Sequence, residues 1–183
     1  PWFALKGVPG VGNLIFRRLV EHFGSPDAVL AAGETELMAV QGVNARLAAA
    51  ICQHRPSDDI DRELAAVQHK GYDLVTLTDR RYPVLLRRIP DPPPVLYICG
   101  ELPDSALNIA VVGSRNATGY GIATTRRLCL DLAARQVTIV SGMALGIDTC
   151  AHASTLQAGG RTIAVLGSGL NRIYPAENQK LFR

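Results

Sequence analysis

The chain has 183 residues, 48% of them hydrophobic, and a formal charge of +3. That is enough apolar material for one packed domain or two small ones. No apolar run approaches the roughly 18–20 residues of a membrane span, and no stretch resembles a signal peptide.

Cys52, Cys99, Cys129 and Cys150 lie far apart with no CxxC pair. They read as thiols of a reducing cytoplasm, not as disulfides or zinc ligands, so a cytoplasmic protein is expected. The sequence opens at Pro1 and stops at Arg183 inside what reads as a new helix, which we take as a piece of a longer protein.

In chain order, short helices come first. "GVPGVG" at 7–12 precedes "NLIFRRLVEHF", where Leu14, Ile15, Leu19 and Phe23 recur at helical spacing. "SPDAVLAA" has Ser25 as N-cap and Pro26 at the first helical position, and "TELMAV" offers Thr35 as a cap. "NARLAAAICQH" and "SDDIDRELAAVQHKG" follow, the last with a cap, an acidic first turn and a closing Gly71. Beyond Gly71 the period changes. "DLVTL" and "PVLYICG" predict strands around turn-rich "TDRRYP" and "IPDPPP". A regular alternation then begins: strand 108–112, helix 119–134, strand 137–140, helix 147–158, strand 162–166. Apolar strands alternating with helices of this length predict parallel βαβ units. The domain boundary falls near residues 66–72, which gives domains 1–70 and 71–183.

Charge divides along the same line. Residues 1–70 carry 7 Lys and Arg against 8 Asp and Glu, and residues 71–183 carry 12 against 8. Eleven of those 12 are arginine, the side chain that grips phosphate in a bidentate fork. The excess fits a polyanionic partner and fits a solvated surface equally well.

The predicted strands end in Gly113-Ser114-Arg115, in Ser141-Gly142 and in Gly167-Ser168-Gly169. In a parallel sheet these turns share one edge, where open α/β sheets bind ligands. Small residues let backbone N–H groups approach an anion, and the following helices aim their dipoles there, so we expect a phosphate-binding crevice. The competing reading is that the glycines only close tight βα connections. Val140-Ser141 stands where a nicotinamide site wants Asp or Glu, and no GxxxxGK[ST] string occurs, so no cofactor is expected. Asp148 and His152, four apart on one helix, fit an acid/base pair or two metal ligands; we expect instead that Asp148 caps the helix and that His152 packs or bonds to it. Ser114, Ser141 and Ser168 lack a nucleophile elbow and read as hydrogen-bond donors. No metal site and no catalytic residue is expected.

"LKGVPGVGNLIFRRLVEHFGS" has the form of a helix-hairpin-helix, and "VQGVNARLAAAI" that of a degenerate second copy. Gly10 and Gly12 could bare backbone N–H groups to a DNA phosphate; a pure packing role fits as well.

"YPVLLRRIPDPPPVLYICG", "IAVVGSRNATGYG", "VSGMALGIDTCAHASTL" and "GGRTIAVLGSGLNRIYPAEN" together resemble the DprA/Smf family, DNA-processing proteins of bacterial natural transformation and competence. The match runs from Tyr82 to Asn178, and the helical front resembles that family's SAM-like domain. The resemblance implies a truncated Rossmann-like α/β sheet preceded by a small all-α SAM-like/helix-hairpin-helix domain. It implies a protein that is not an enzyme, binds single-stranded DNA, shields it and loads the RecA recombinase. By position it implies DNA contacts at Gly113, Ser114, Arg115, Ser141, Gly142, Gly146, Gly167, Ser168, Gly169, Arg172, Asn178 and Lys180. Asp148, Tyr174 and Pro175 also match its motifs. Leu145 stands where members often have Arg, and Ala153-Ser154 where they often have a basic residue. The family forms homodimers, and the resemblance places dimerisation and RecA contact beyond this stretch. Two other readings are kept: a phosphoribohydrolase-like nucleotide-processing enzyme, and a protein-interaction module working through the helices.

Overall fold

A computed structural model describes residues 1–55, 59–102 and 107–182. The chain forms two compact units, residues 1–102 and 103–183.

The first unit begins with α1 (Trp2–Lys6), α2 (Asn13–Phe23), α3 (Pro26–Ala31), α4 (Glu34–Met38) and α5 (Ala45–Gln53). Leu5, Phe16, Leu19, Val29, Leu37 and Ile51 are buried together; each such side chain contributes roughly 1.5–3 kcal/mol of transfer free energy. Ser25 Oγ accepts the Ala28 N–H at 3.1 Å beside Pro26, as expected. Thr35 is not a cap. Glu36 reaches back to the Gly33 N–H at 2.9 Å, so α4 starts before Thr35 and encloses it.

The two hairpins are copies that pack on each other. Gly10 and Gly42 have φ of +94° and +95°. A Cβ on Gly10 would meet Leu47 of α5 at 3.2 Å, and one on Gly42 would meet Ile15 of α2 at 2.7 Å. Each hairpin glycine thus seats a residue of the other copy, and the positive φ favours Gly at both positions. The caps differ: Asn44 Oδ1 accepts the Leu47 N–H at 2.9 Å, whereas Gly12 gives α2 no side-chain cap.

Next come α6 (Asp59–His69), β1 (Asp73–Thr76), α7 (Val84–Arg87) and β2 (Val95–Ile98). The cap expected at Ser57 lies outside the described residues; Gly71 closes α6 with φ +64°. β1 and β2 pair antiparallel over Val75, Leu77 and Tyr82, and Trp2 packs on both this cluster and the helical core. The strand pair is therefore inside the first compact unit, while the sequence places its boundary near residue 71. Tyr82 donates to the Pro93 carbonyl at 2.8 Å, and burial raises its pKa to about 12.

The second unit holds β3 (Asn108–Ala110), α8 (Gly119–Ala134), β4 (Thr138–Ser141), α9 (Ile147–Gln157), β5 (Thr162–Ala164), a 3₁₀ turn at Ala176–Asn178 and α10 (Gln179–Phe182). The sheet is parallel in the order β3-β4-β5, as the alternation predicts. α8 and α9 pack on each other and on β4, burying Cys129, Ile139 and Ala151. β3 is shorter than expected, although the Val111 N–H still donates to Val140 at 2.9 Å. No helix is long and apolar enough to cross a membrane among the described residues.

Candidate functional site

The parallel register brings the ends of β3, β4 and β5 to one edge, and the three glycine turns meet there. The first turn lies against the start of α9. A Cβ on Gly113 would meet Ile147 Cγ1 at 2.6 Å, and one on Gly146 would meet the Ser114 and Arg115 carbonyls. Ser114 O accepts the Ile147 N–H at 3.2 Å across this contact. Gly146, with φ +79° and ψ −120°, has a conformation that side chains disfavour. Gly113 is thus explained by the Ile147 side chain against it, and Gly146 by its own φ and by the backbone of the first turn.

The second turn is clamped by its own chain. Buried Asp148 accepts the N–H groups of Gly142 at 3.1 Å and Ala144 at 3.3 Å, both through Oδ2. On the carbonyl side, buried Asn178 Nδ2 donates to Met143 O at 2.7 Å. Thr149 Oγ1 donates to Ala144 O at 2.7 Å and accepts from Asn178 Nδ2 at 2.8 Å. Met143 is held at φ +61° between these bonds. Ser141 is buried and donates its hydroxyl to Val111 O at 2.7 Å. The donor role expected of Ser141 and Gly142 is thus already taken up within the protein, and Asn178 is interior.

The third turn is open. A Cβ on Gly167 or Gly169 would meet nothing within 4 Å, and Ser168 is exposed. Between it and the first turn lies a cleft of about 240 Å³. Arg115, Gly142, Gly167 and Ser168 line it from the expected set; Ala144, Leu145, Leu166, Tyr174 and Pro175 complete the wall. Arg115 is exposed and makes no hydrogen bond or ion pair to a described residue, so it is not neutralised by Asp148. Ser114 Oγ accepts the Asn116 N–H at 3.1 Å, which leaves its O–H free to donate. Arg172 and Lys180 are exposed and likewise unpaired with any described residue, but they do not line the cleft. Gly10 and Gly12 belong to the other unit; Gly12 is exposed and open, while Gly10 backs onto Leu47.

The helix-dipole expectation needs correction. Thr118 Oγ1 accepts the Gly121 N–H at 3.1 Å and caps α8. The cap expected of Asp148 is not formed, because its carboxylate turns back to Gly142 and Ala144, and the first N–H of α9, Ile147, goes to Ser114 O. Both helix ends are met by the protein's own oxygens, so Arg115 is the principal positive group of the cleft.

Asp148 and His152 do not hydrogen-bond to each other. His152 is 1% exposed, and its Nδ1 lies 2.6 Å from Thr162 Oγ1. The Thr162 hydroxyl donates its one proton to Ile139 O at 2.8 Å, so it accepts from His152, which fixes the Nδ1–H tautomer. Nε2 is buried without a well-formed partner. Burial lowers the pKa of His152, against smaller opposing effects from Asp148 and the Ser141 backbone. Among the described residues no group of three His, Cys, Asp or Glu could hold a metal ion. The sequence reading missed Thr149; its only signal was a hydroxyl beside Asp148 in "GIDT".

The sequence model of the family described as "DNA recombination-mediator protein A" matches residues 73–183, and that of a SAM-like helix-hairpin-helix tandem matches 4–54. Protein Smf of Synechocystis is 39% identical over 99% of this chain and 47% of its own length. DNA processing protein DprA of Bacillus subtilis is 38% identical over 67% of this chain and 42% of its own. The chain thus spans about half the length of these curated relatives. Among solved structures, DNA processing protein A of Streptococcus pneumoniae superposes with a TM-score of 0.76 at 31% identity, over 98% of this chain and 61% of its own. The same protein from Helicobacter pylori, described for its unique single-stranded DNA binding mode, gives 0.54 at 33%, over 61% and 49%.

Proposed function

This chain belongs to the DNA recombination-mediator protein A family, and from that premise we propose that its cleft binds the backbone of single-stranded DNA. The observation that carries the reading is Arg115: an exposed guanidinium at a strand end, unpaired with any described residue and facing an open glycine turn across a cleft. Its fork suits a phosphate, with the Ser114 hydroxyl and the backbone of Gly167–Gly169 as further donors. The single-stranded DNA binding mode of the Helicobacter pylori relative supports the choice of ligand. A flexible strand can bring a phosphate into a cleft of this size more readily than a stiff duplex.

The site works by binding. Asp148 and His152 are both engaged in holding α9 and its neighbours. For a protein of these relatives' full length we extend the proposal to DNA processing in natural transformation, to protection of the incoming strand, to loading of RecA and to a homodimer. A gel-shift series with a labelled single strand and its duplex, at rising salt, tests the core of this. The expected result is preference for the single strand, little sequence dependence and affinity that falls with salt. Equal binding of both forms, or a flat salt response, would contradict it.

A further inference from the structure

We infer that Asn178 and Thr149 are positioning residues for this site. They act on DNA binding through the 142–146 loop rather than by touching the strand. The inference rests on the proposed reading of the cleft. Gly142, Ala144 and Leu145 form one wall of that cleft. The loop enters from β4 through Ser141 and leaves at Gly146, so its path is fixed only at its ends unless something holds the middle.

Two sets of bonds hold it, one to its N–H groups and one to its carbonyls. Asp148 takes the N–H groups of Gly142 and Ala144. Asn178 Nδ2 donates to Met143 O at 2.7 Å, and Thr149 Oγ1 donates to Ala144 O at 2.7 Å. Asn178 and Thr149 bond to each other, so the two clamps form one network. Met143 keeps its positive φ only while these bonds over-determine it.

Asn178 also follows directly from a second stretch of the cleft lining. Tyr174 and Pro175 belong to that lining, and Pro175 leads into the 3₁₀ turn Ala176–Asn178. The Asn178 side chain therefore ties the segment after β5 to the loop after β4, and both segments line the cleft. Being buried, it cannot reach a phosphate; an exposed arginine on the first turn can.

The test compares Asn178→Ala, Thr149→Val and Asn178→Asp with the parent chain. Affinity for a fluorescent single-stranded oligonucleotide is measured across salt, and amide exchange of Met143 to Gly146 is followed without DNA. Both Asn178→Ala and Thr149→Val are expected to weaken binding by roughly 3- to 30-fold, the range for mutations that act on a site through a coupled network. Their salt slope stays that of the parent, because no phosphate contact is lost. Exchange at Ala144 accelerates in both. Asn178→Asp loses the donor at neutral pH and regains one when its carboxyl is protonated, so its deficit relative to the parent shrinks on acidification. A Thr149→Val chain that binds and exchanges as the parent does overturns the inference alone. Loss confined to Asn178→Ala points to direct contact and overturns it too. A parent with no affinity for the single strand overturns the reading of the cleft, and this inference with it.

Discussion

Asp148 Oδ2 accepts the Gly142 N–H at 3.1 Å and lies only 2.9 Å from where a Gly142 side chain would begin. One carboxylate oxygen thus holds the turn and forbids a Cβ on it. Asp148→Ala takes a charged acceptor from two N–H groups and should cost about 1.5–3 kcal/mol, the range for hydrogen bonds to charged groups. Gly142→Ala should also destabilise, but the double variant should be less unstable than the sum, because removing the carboxylate removes the clash. Urea midpoints of the three variants decide it; strict additivity would show that the two residues do not meet as described.

Gly146→Ala should be among the most damaging single changes in the second unit. Its φ and ψ lie where only glycine is comfortable, and a Cβ would press on two carbonyls of the Arg115 turn. The backbone region alone costs roughly 1–3 kcal/mol, and the steric overlap adds to it. Gly167→Ala, with open space around it, should be nearly silent in the same denaturation assay.

His152 gives stability a defined pH dependence. Its folded pKa is lowered by burial, so the unfolded chain takes up the proton first as pH falls. Stability is full above the ordinary histidine value near 6.5 and declines below it until the folded pKa is reached. A urea midpoint measured from pH 8 to pH 5 should fall in the lower part of that range, and by less in His152→Gln. A parent that gains stability toward pH 5 would reverse the sign and contradict the buried, neutral imidazole.

No nicotinamide, flavin or nucleoside triphosphate should bind tightly, because Val140-Ser141 offers no carboxylate to a ribose and no Lys-Ser/Thr loop exists. Thermal shifts at near-millimolar ligand should stay within a degree or so; a rise of several degrees with any of them would reopen the nucleotide-processing reading.

The sequence carried the architecture well where its signals were local. Alternating apolar runs marked β3, β4 and β5, and the helix expected over 119–134 is α8. The meeting of three glycine turns followed from parallel connectivity alone. What stayed hidden was the partner of each polar group. Nothing in "SGMALGID" says that Asp148 turns back to Gly142, or that Asn178 crosses 35 residues to Met143, since such bonds depend on how loops pack in three dimensions. The same blindness left each strand-end glycine open to two readings, a phosphate cradle or a tight βα connection. Gly113 and Gly146 answer to Ile147 and to the Ser114–Arg115 backbone, and only the Gly167–Gly169 turn remains open. Thr35 misled for a simpler reason: a glutamate at 36 can cap from inside the helix.

The most direct test is Arg115→Ala, read as single-stranded DNA affinity against salt. Arg115 is exposed and packs into no core, so the variant should keep the parent's fold and unfolding midpoint. Binding should weaken by about 1–3 kcal/mol, similarly for all sequences, as expected for a lost phosphate contact. The salt slope should fall by roughly 0.7, one phosphate's worth for a single strand. Arg115→Lys should recover only part, keeping the charge without the fork. If Arg115→Ala binds as tightly as the parent with an unchanged slope, the cleft is not where DNA sits, and the open hairpin at Gly12 becomes the place to look.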